Sequence, residues 1–403
     1  MHDHQLLVFF ALLIFTFGLF SRIAERKSVT GPMFFMTVGI LVSSLALNLI
    51  HVNIDMDPVK LIAELALMLV LFIDATMIDR NVIRGASSKI PGRLLLIGLP
   101  LTMLLGTGLG VLMFDSIDLW AIVLMALILS PTDAALGQAV VKSEDVPTRI
   151  RQSISVESGL NDGIALPPIF VCMALLGAQA GEHEGAWLSF VIKQITLGPI
   201  VGLAVGWIGG KLIQSMSKRG WMEETFQRLS AVPLAILAFA FAESVEGNGF
   251  IAAFVAGTGL TLSGTSAHLK HQIQEFGETE VTQLILVVFL IFGLAVVPVA
   301  AEYWGTRELI YALASLTVLR MIPVAISLLG AKLDWQTIAF IGWFGPRGIA
   351  SVLYLLMAIA AIGVAGHEQI MSVIVLTVVI SVYAHGISAT PLSRLYGKST
   401  SIE

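Results

Sequence analysis

Three short stretches of this chain place polar and charged residues in the middle of long apolar runs: Ser130-Pro131-Thr132-Asp133, Glu157-Ser158-Gly159-Leu160-Asn161-Asp162-Gly163, and Gly342-Trp343-Phe344-Gly345-Pro346-Arg347-Gly348. In the second stretch, positions three and four apart share a helix face, so Ser158, Asn161 and Asp162 project into one sector. Their hydroxyl, amide and carboxylate oxygens, joined by carbonyls freed at Thr132, are the ligands that hard cations prefer. Charge deep in a bilayer is costly, so Asp162 needs a partner or a purpose. Polar side chains also glue membrane helices together, which is the other reading of Ser158 and Asn161. An acid with no basic residue nearby in its own helix makes an expensive glue.

The other buried acids divide by depth. Asp74, in Leu71-Phe72-Ile73-Asp74-Ala75-Thr76, lies nearer the cytoplasmic end of its helix and is either interfacial or part of the site. Glu64 and Glu243 fall nearer the outer interface, where Lys193 snorkels. His385, in the last apolar run, reads as hydrogen-bonded packing and is left outside the site.

The elements that carry these residues must be membrane helices. Of 403 residues, 56% are hydrophobic and only 13% charged, against roughly 25% charged in a soluble domain; the mean hydropathy is +0.89. The net charge of -5 offers no field for nucleic acid, and a single cysteine, Cys172, excludes an internal disulfide. A span needs about 20 apolar residues. Thirteen are expected, near 5-21, 31-50, 58-77, 92-114, 118-141, 152-178, 186-213, 229-245, 248-263, 281-301, 307-330, 335-362 and 368-396, giving an all-α polytopic membrane protein. The start lacks the cationic region of a signal peptide, so the first run is expected to stay as a helix.

Loop charge sets the orientation. Arg22, Arg26, Lys27, Arg80, Arg84, Lys89, Arg93, Lys142, Arg149, Arg151, Lys211, Lys218, Arg219, Arg228, Lys270, Lys332, Arg394 and Lys398 all fall on one side. The opposite side has only Lys60, Lys193 and Arg307, while Arg320 and Arg347 sit inside spans. Basic loops stay in the cytoplasm, so the N-terminus is expected outside and the C-terminus inside.

Breaks in the fifth and twelfth spans have a second meaning. Proline removes a donor and glycine loosens a helix, so each break frees backbone groups that lipid cannot satisfy. A simple proline kink would explain either break alone. Paired breaks, one beside Asp133 and one beside Arg347, instead suggest two inverted repeats of six helices, 1-178 and 229-396, joined by a linking helix at 186-213 within a single 1-403 transporter domain. The two charges suit half-helix ends of opposite polarity.

Taken together, the three motifs resemble the signatures of the monovalent cation:proton antiporters of the NhaP and NHE type, in an order that covers nearly the whole chain. The resemblance implies a secondary active Na+ (or Li+)/H+ antiporter of the cell membrane, serving sodium transport and pH homeostasis as a homodimer. The Asn161-Asp162 pair resembles the electroneutral branch of that family, where electrogenic relatives carry two adjacent aspartates. By the same resemblance, Asp162 binds cation and proton in turn, Ser158 and the Thr132 backbone complete a Na+ site, and Asp133 and Asn161 order the crossing of the broken helices. Glu157 is expected to pair with Arg320. Asp74 stands where the family often has a longer glutamate, reaching the ion directly or through water. Regulation by the long cytoplasmic tail of many members is not expected.

A buried carboxyl grips its proton and a bound cation expels it, so the two ions compete for one group and exchange follows. No cofactor is expected beyond the transported Na+ and H+, and no enzyme activity: an aspartyl protease needs paired carboxylates in a Gly-x-Gly-Asp context that this sequence lacks. K+/H+ antiport is the alternative within the same superfamily, and a passive channel has no need of broken inverted helices.

Overall fold

The computed structural model describes residues 3–50, 57–77, 89–133, 136–141, 143–179 and 187–400. Among them all regular structure is helical. The basic residues Arg80, Arg84 and Lys142 lie outside the described residues.

Helix occupies every expected segment. In chain order the elements are α1 (Asp3–Arg26), α2 (Gly31–Val42), α3 (Asp57–Thr76), α4 (Lys89–Met113), α5 (Leu119–Ile128), α6 (Gln138–Val141), α7 (Thr148–Gln179), α8 (Trp187–Lys218), α9 (Glu224–Leu229), α10 (Ala231–Ser244) and α11 (Gly249–Leu262). There follow α12 (Ala267–Ala301), α13 (Thr306–Leu316), α14 (Val318–Ser327), α15 (Trp335–Trp343), α16 (Ile349–Ile362) and α17 (Glu368–Thr400). By length and composition, seven helical stretches among the described residues can cross a membrane, and shorter apolar helices such as Gly249–Leu262 and Ile349–Ile362 lie among them.

Four segments depart locally from the expected ones. The second segment leaves the helix at Val42, eight residues short of the expected end, because Ser43 donates its hydroxyl to the Ile40 carbonyl and the Leu49 and Ile50 amides fold back onto the Val42 carbonyl. The tenth begins at Ala267 rather than 281, with Ser266 as its N-cap and Leu269, Ile273 and Gly277 buried along one face of a polar stretch. The eighth is preceded by the short α9, so helix starts at Glu224 rather than 229, with a junction at Ser230 before α10. The eleventh is interrupted at Thr317, between α13 and α14. In α4 and α12, wide turns at Leu94–Gly98 and Phe292–Val296 stand just before Pro100 and Pro298. A proline ring collides with the carbonyl four residues back, and one extra residue in the turn relieves that clash.

Two contacts position the rest. Helices α8 and α11 meet backbone to backbone: Gly198, Gly202, Gly206 and Gly210 share one face of α8, and a side chain at Gly206 would run into the Ala256 carbonyl. Small residues at four-residue spacing allow that approach. Segments four and eleven are lashed at both ends, since Arg93 Nη1 donates to the Leu329 carbonyl (2.7 Å) and Arg307 Nη1 to the Met113 carbonyl (3.2 Å). The reciprocal pair makes the two segments antiparallel.

Candidate cation-binding site

The fifth segment leaves the helix after Ile128 and α6 starts at Gln138, while the twelfth is open between Trp343 and Ile349. The two openings meet. Asp133 donates its backbone amide to the Pro346 carbonyl (2.8 Å), and its Oδ2 accepts from the Ile349 amide (2.6 Å) at the start of α16. In the other direction, Arg347 Nη1 donates to the Ser130 and Pro131 carbonyls (2.8 and 3.0 Å), and Ser351 Oγ donates to the Ile128 carbonyl (2.8 Å) at the end of α5. A carboxylate therefore caps a positive helix N-terminus and a guanidinium serves carbonyls at a negative C-terminus. The expected match of charge to half-helix ends takes a crossed form, each residue serving the segment that does not contain it. Gly348 is needed here, because a Cβ would overlap the Asp133 carboxylate.

Helix α7 passes beside this crossing. Ser158 Oγ donates to the Thr132 carbonyl and Asn161 Nδ2 to the Thr132 hydroxyl, both at 2.7 Å. The next residue, Asp162, is 4% exposed, and its backbone carbonyl accepts from the buried Tyr354 hydroxyl at 3.0 Å. Asn161 Oδ1 and Asp162 Oδ1 are buried without a hydrogen-bond partner. Buried acceptors of this kind are satisfied in native folds by water or an ion. Oxygen ligands from amide, carboxylate and carbonyl suit a hard cation.

Glu157, the other acid of α7, is paired. Arg320 meets Glu157 through two contacts, Nη2 to Oε2 at 2.8 Å and Nη1 to Oε1 at 2.7 Å, with both side chains almost fully buried. The interruption at Thr317 shapes the approach: its carbonyl accepts from both the Arg320 and Met321 amides. Asp74 touches the site through backbone: a methyl on Gly159 would stand 3.5 Å from the Asp74 carbonyl, one turn before Asp162. The structure thus gathers Thr132, Asp133, Ser158, Asn161, Asp162 and Arg347 at one crossing, with Glu157–Arg320 and Asp74 alongside.

One buried group at this crossing escapes a reading by residue type. Tyr354 looks like ordinary apolar filling in a hydrophobic run. His385 is hydrogen-bonded as expected, with Nε2 2.9 Å from the Trp343 carbonyl beside the break in the twelfth segment.

A family model described as sodium/hydrogen exchanger, transmembrane, matches residues 8–395. The chain belongs to this family. Within the sodium/hydrogen exchangers, it is 26% identical over 390 residues to the K(+)/H(+) antiporter NhaP2 of Shewanella sp. (strain MR-4), a match covering 96% of this chain and 66% of that protein. It is 28% identical over 250 residues to the Na(+)/H(+) antiporter 2 of Zygosaccharomyces rouxii, covering 58% of this chain and 30% of that one. This exchanger-family chain therefore spans just under two thirds of the NhaP2 relative. Its fold is similar to the solved structure of the sodium proton antiporter MjNhaP1 from Methanocaldococcus jannaschii at pH 8, with a TM-score of 0.77 at 18% identity, covering 98% of this chain and 99% of that chain.

Proposed function

We propose that the chain is a secondary active antiporter that exchanges Na+ (or Li+) for H+ across the cell membrane, one for one, by competition of the two ions for Asp162. The observation that carries this reading is the contrast among three buried acids at the crossing: Glu157 faces Arg320 and Asp133 caps α16, whereas Asp162 Oδ1, like the neighbouring Asn161 Oδ1, has no hydrogen-bond partner. A site of one such carboxylate carries one positive charge at a time, cation or proton. If it crosses the membrane only when loaded, exchange is electroneutral.

Cation ligands in this reading are Asp162, Ser158 and the Thr132 carbonyl, with Asn161 and Asp133 ordering the crossing and Asp74 bordering it. Alternating access comes from a bundle of segments five, six and twelve moving against the remaining helices, which also form a homodimer contact. The mutual Arg93–Leu329 and Arg307–Met113 bonds support two inverted repeats, because segments four and eleven are the equivalents seven apart. Loop charge supports an outer N-terminus and a cytoplasmic C-terminus.

K+/H+ antiport is the second reading, favoured by the name of the Shewanella relative. One experiment addresses both: dissipation of a pH gradient in proteoliposomes with Na+, Li+ and K+ compared, in the native chain and Asp162→Asn. Cation-dependent exchange in the native chain and none in the variant is expected. Full exchange by Asp162→Asn would remove Asp162 from the mechanism, and the ion giving the signal identifies the substrate.

A further inference from the structure

Ser381 and His385 lie one turn apart on α17, both buried, and they face the two sides of the break in the twelfth segment. Ser381 Oγ accepts from the Arg347 backbone amide, the donor just after the break, at 2.7 Å. His385 Nε2 stands 2.9 Å from the Trp343 carbonyl, the acceptor just before it. Nδ1 of the same ring lies 3.1 Å from the Ser381 hydroxyl and 3.0 Å from the Ser381 carbonyl. Ser381 and His385, in contact with each other, thus bridge the gap between α15 and α16 from one turn of α17.

That bridge continues into the site. The Arg347 whose amide is fixed by Ser381 reaches the Ser130 and Pro131 carbonyls with Nη1, and the next residue, Thr132, meets Ser158 and Asn161. Trp343 is held from the same helix, its ring 5.0 Å from His385 and its Nε1 donating to Ser388 Oγ at 2.9 Å. Backbone groups at a helix break in an apolar interior need fixed partners; the Trp343 carbonyl also accepts from the Gly345 amide at 2.9 Å, and α17 adds a partner on each side of the break.

We propose that Ser381 and His385 are positioning residues for the transported cation: from α17 they set Arg347, and through it the Thr132 oxygens beside Asp162. The proposal rests on the antiporter reading above. It assigns His385 no proton of its own to carry.

The test is exchange in proteoliposomes at graded Na+, Li+ or K+ with the native chain, Ser381→Ala, His385→Leu and His385→Gln. Leucine keeps bulk alone, whereas glutamine restores a polar amide that can donate to the Trp343 carbonyl. Losing one buried hydrogen bond corresponds to roughly a fivefold change in an equilibrium. Ser381→Ala and His385→Leu are expected to raise the half-saturating cation concentration at least about fivefold, with the maximal rate within about twofold and His385→Gln close to native. Native exchange with unshifted half-saturation in Ser381→Ala and His385→Leu overturns this inference alone, even if their maximal rates drop, since a merely structural role lowers the amount of active protein and leaves half-saturation in place. Should His385→Leu not fold, Ser381→Ala against His385→Gln decides by the same criterion. Absence of exchange in the native chain overturns the antiporter reading, and this inference with it.

Discussion

Asp133 and Arg347 each close the end of a helix in the other's segment: Asp133 Oδ2 accepts from the first amide of α16, and Arg347 Nη1 holds the two carbonyls that follow α5. The two residues thus share one crossing, and neither can move without loosening the other's support. Hydrogen bonds to charged groups contribute about 1.5–3 kcal/mol each. Arg347→Gln is therefore expected to lower stability by about 3 kcal/mol or more and to abolish exchange. Asp133→Asn keeps an oxygen acceptor and loses less. Thermal unfolding in detergent of both single variants and the double variant checks the coupling. Residues in one network depart from additivity by about 0.5–3 kcal/mol, so strictly additive losses would mean that the two caps act independently.

Gly206 offers a test of the scaffold apart from the ion site. A Cβ there meets the Ala256 carbonyl, and backbone has nowhere to retreat. Gly206→Val should push α8 from α11 and cost about 1–3 kcal/mol by overpacking, whereas the same change at Gly220, which has open space around it, lies in a turn with positive φ and tests backbone strain instead. A melting temperature for Gly206→Val equal to native would show that the two helices are not held by this contact.

Features written in local pattern were legible in the sequence. Apolar runs marked the long segments, and Pro131 and Pro346 marked the two openings. The i,i+3 and i,i+4 spacing of Ser158, Asn161 and Asp162 marked the face that meets Thr132. What escaped depends on partners far along the chain. Nothing near Asp133 says that it caps α16, some 216 positions away. The polar stretch from Ala267 to Glu280 reads as a loop by hydropathy, although Leu269, Ile273 and Gly277 make a narrow apolar stripe. Thr317 carries no breaker signal of its own, and His385 is indistinguishable by type from a packed histidine until Trp343 stands opposite it.

Asp334 supplies a pH-dependent prediction outside the spans. It is the N-cap of α15, with Oδ2 accepting from the Thr337 amide at 3.0 Å. Hydrogen bonds from Thr337, its side chain foremost, hold the carboxyl below the usual carboxylate range. A lowered folded value means that the ionised cap stabilises fully above the unfolded value of about 3.9 and is lost as pH falls through the folded one. Asp334→Ala should cost about 1 kcal/mol at neutral pH. The gap from native should narrow only below about pH 4, and a gap already closed at pH 6 would be incompatible with a carboxylate cap.

The ion pair of Glu157 and Arg320 separates two explanations of why charge is kept so deep. Both side chains are nearly inaccessible, and Arg320 approaches with two nitrogens. Removing one partner from a buried pair costs about 3–5 kcal/mol, because the other is left uncompensated, whereas replacing both by apolar groups is often neutral. Glu157→Gln and Arg320→Met alone should each lower the melting temperature sharply, and Glu157→Leu with Arg320→Met should recover most of it. If the pair only stabilises, the recovered double variant exchanges cations normally. If it also keeps Arg320 from turning toward Asp162, five residues along α7 from Glu157, then Arg320 must be absent or paired for exchange, and Glu157→Gln should be the least active of the set even at temperatures where it remains folded. Exchange by Glu157→Gln equal to that of the double variant, measured well below both melting temperatures, would leave the pair a purely structural device.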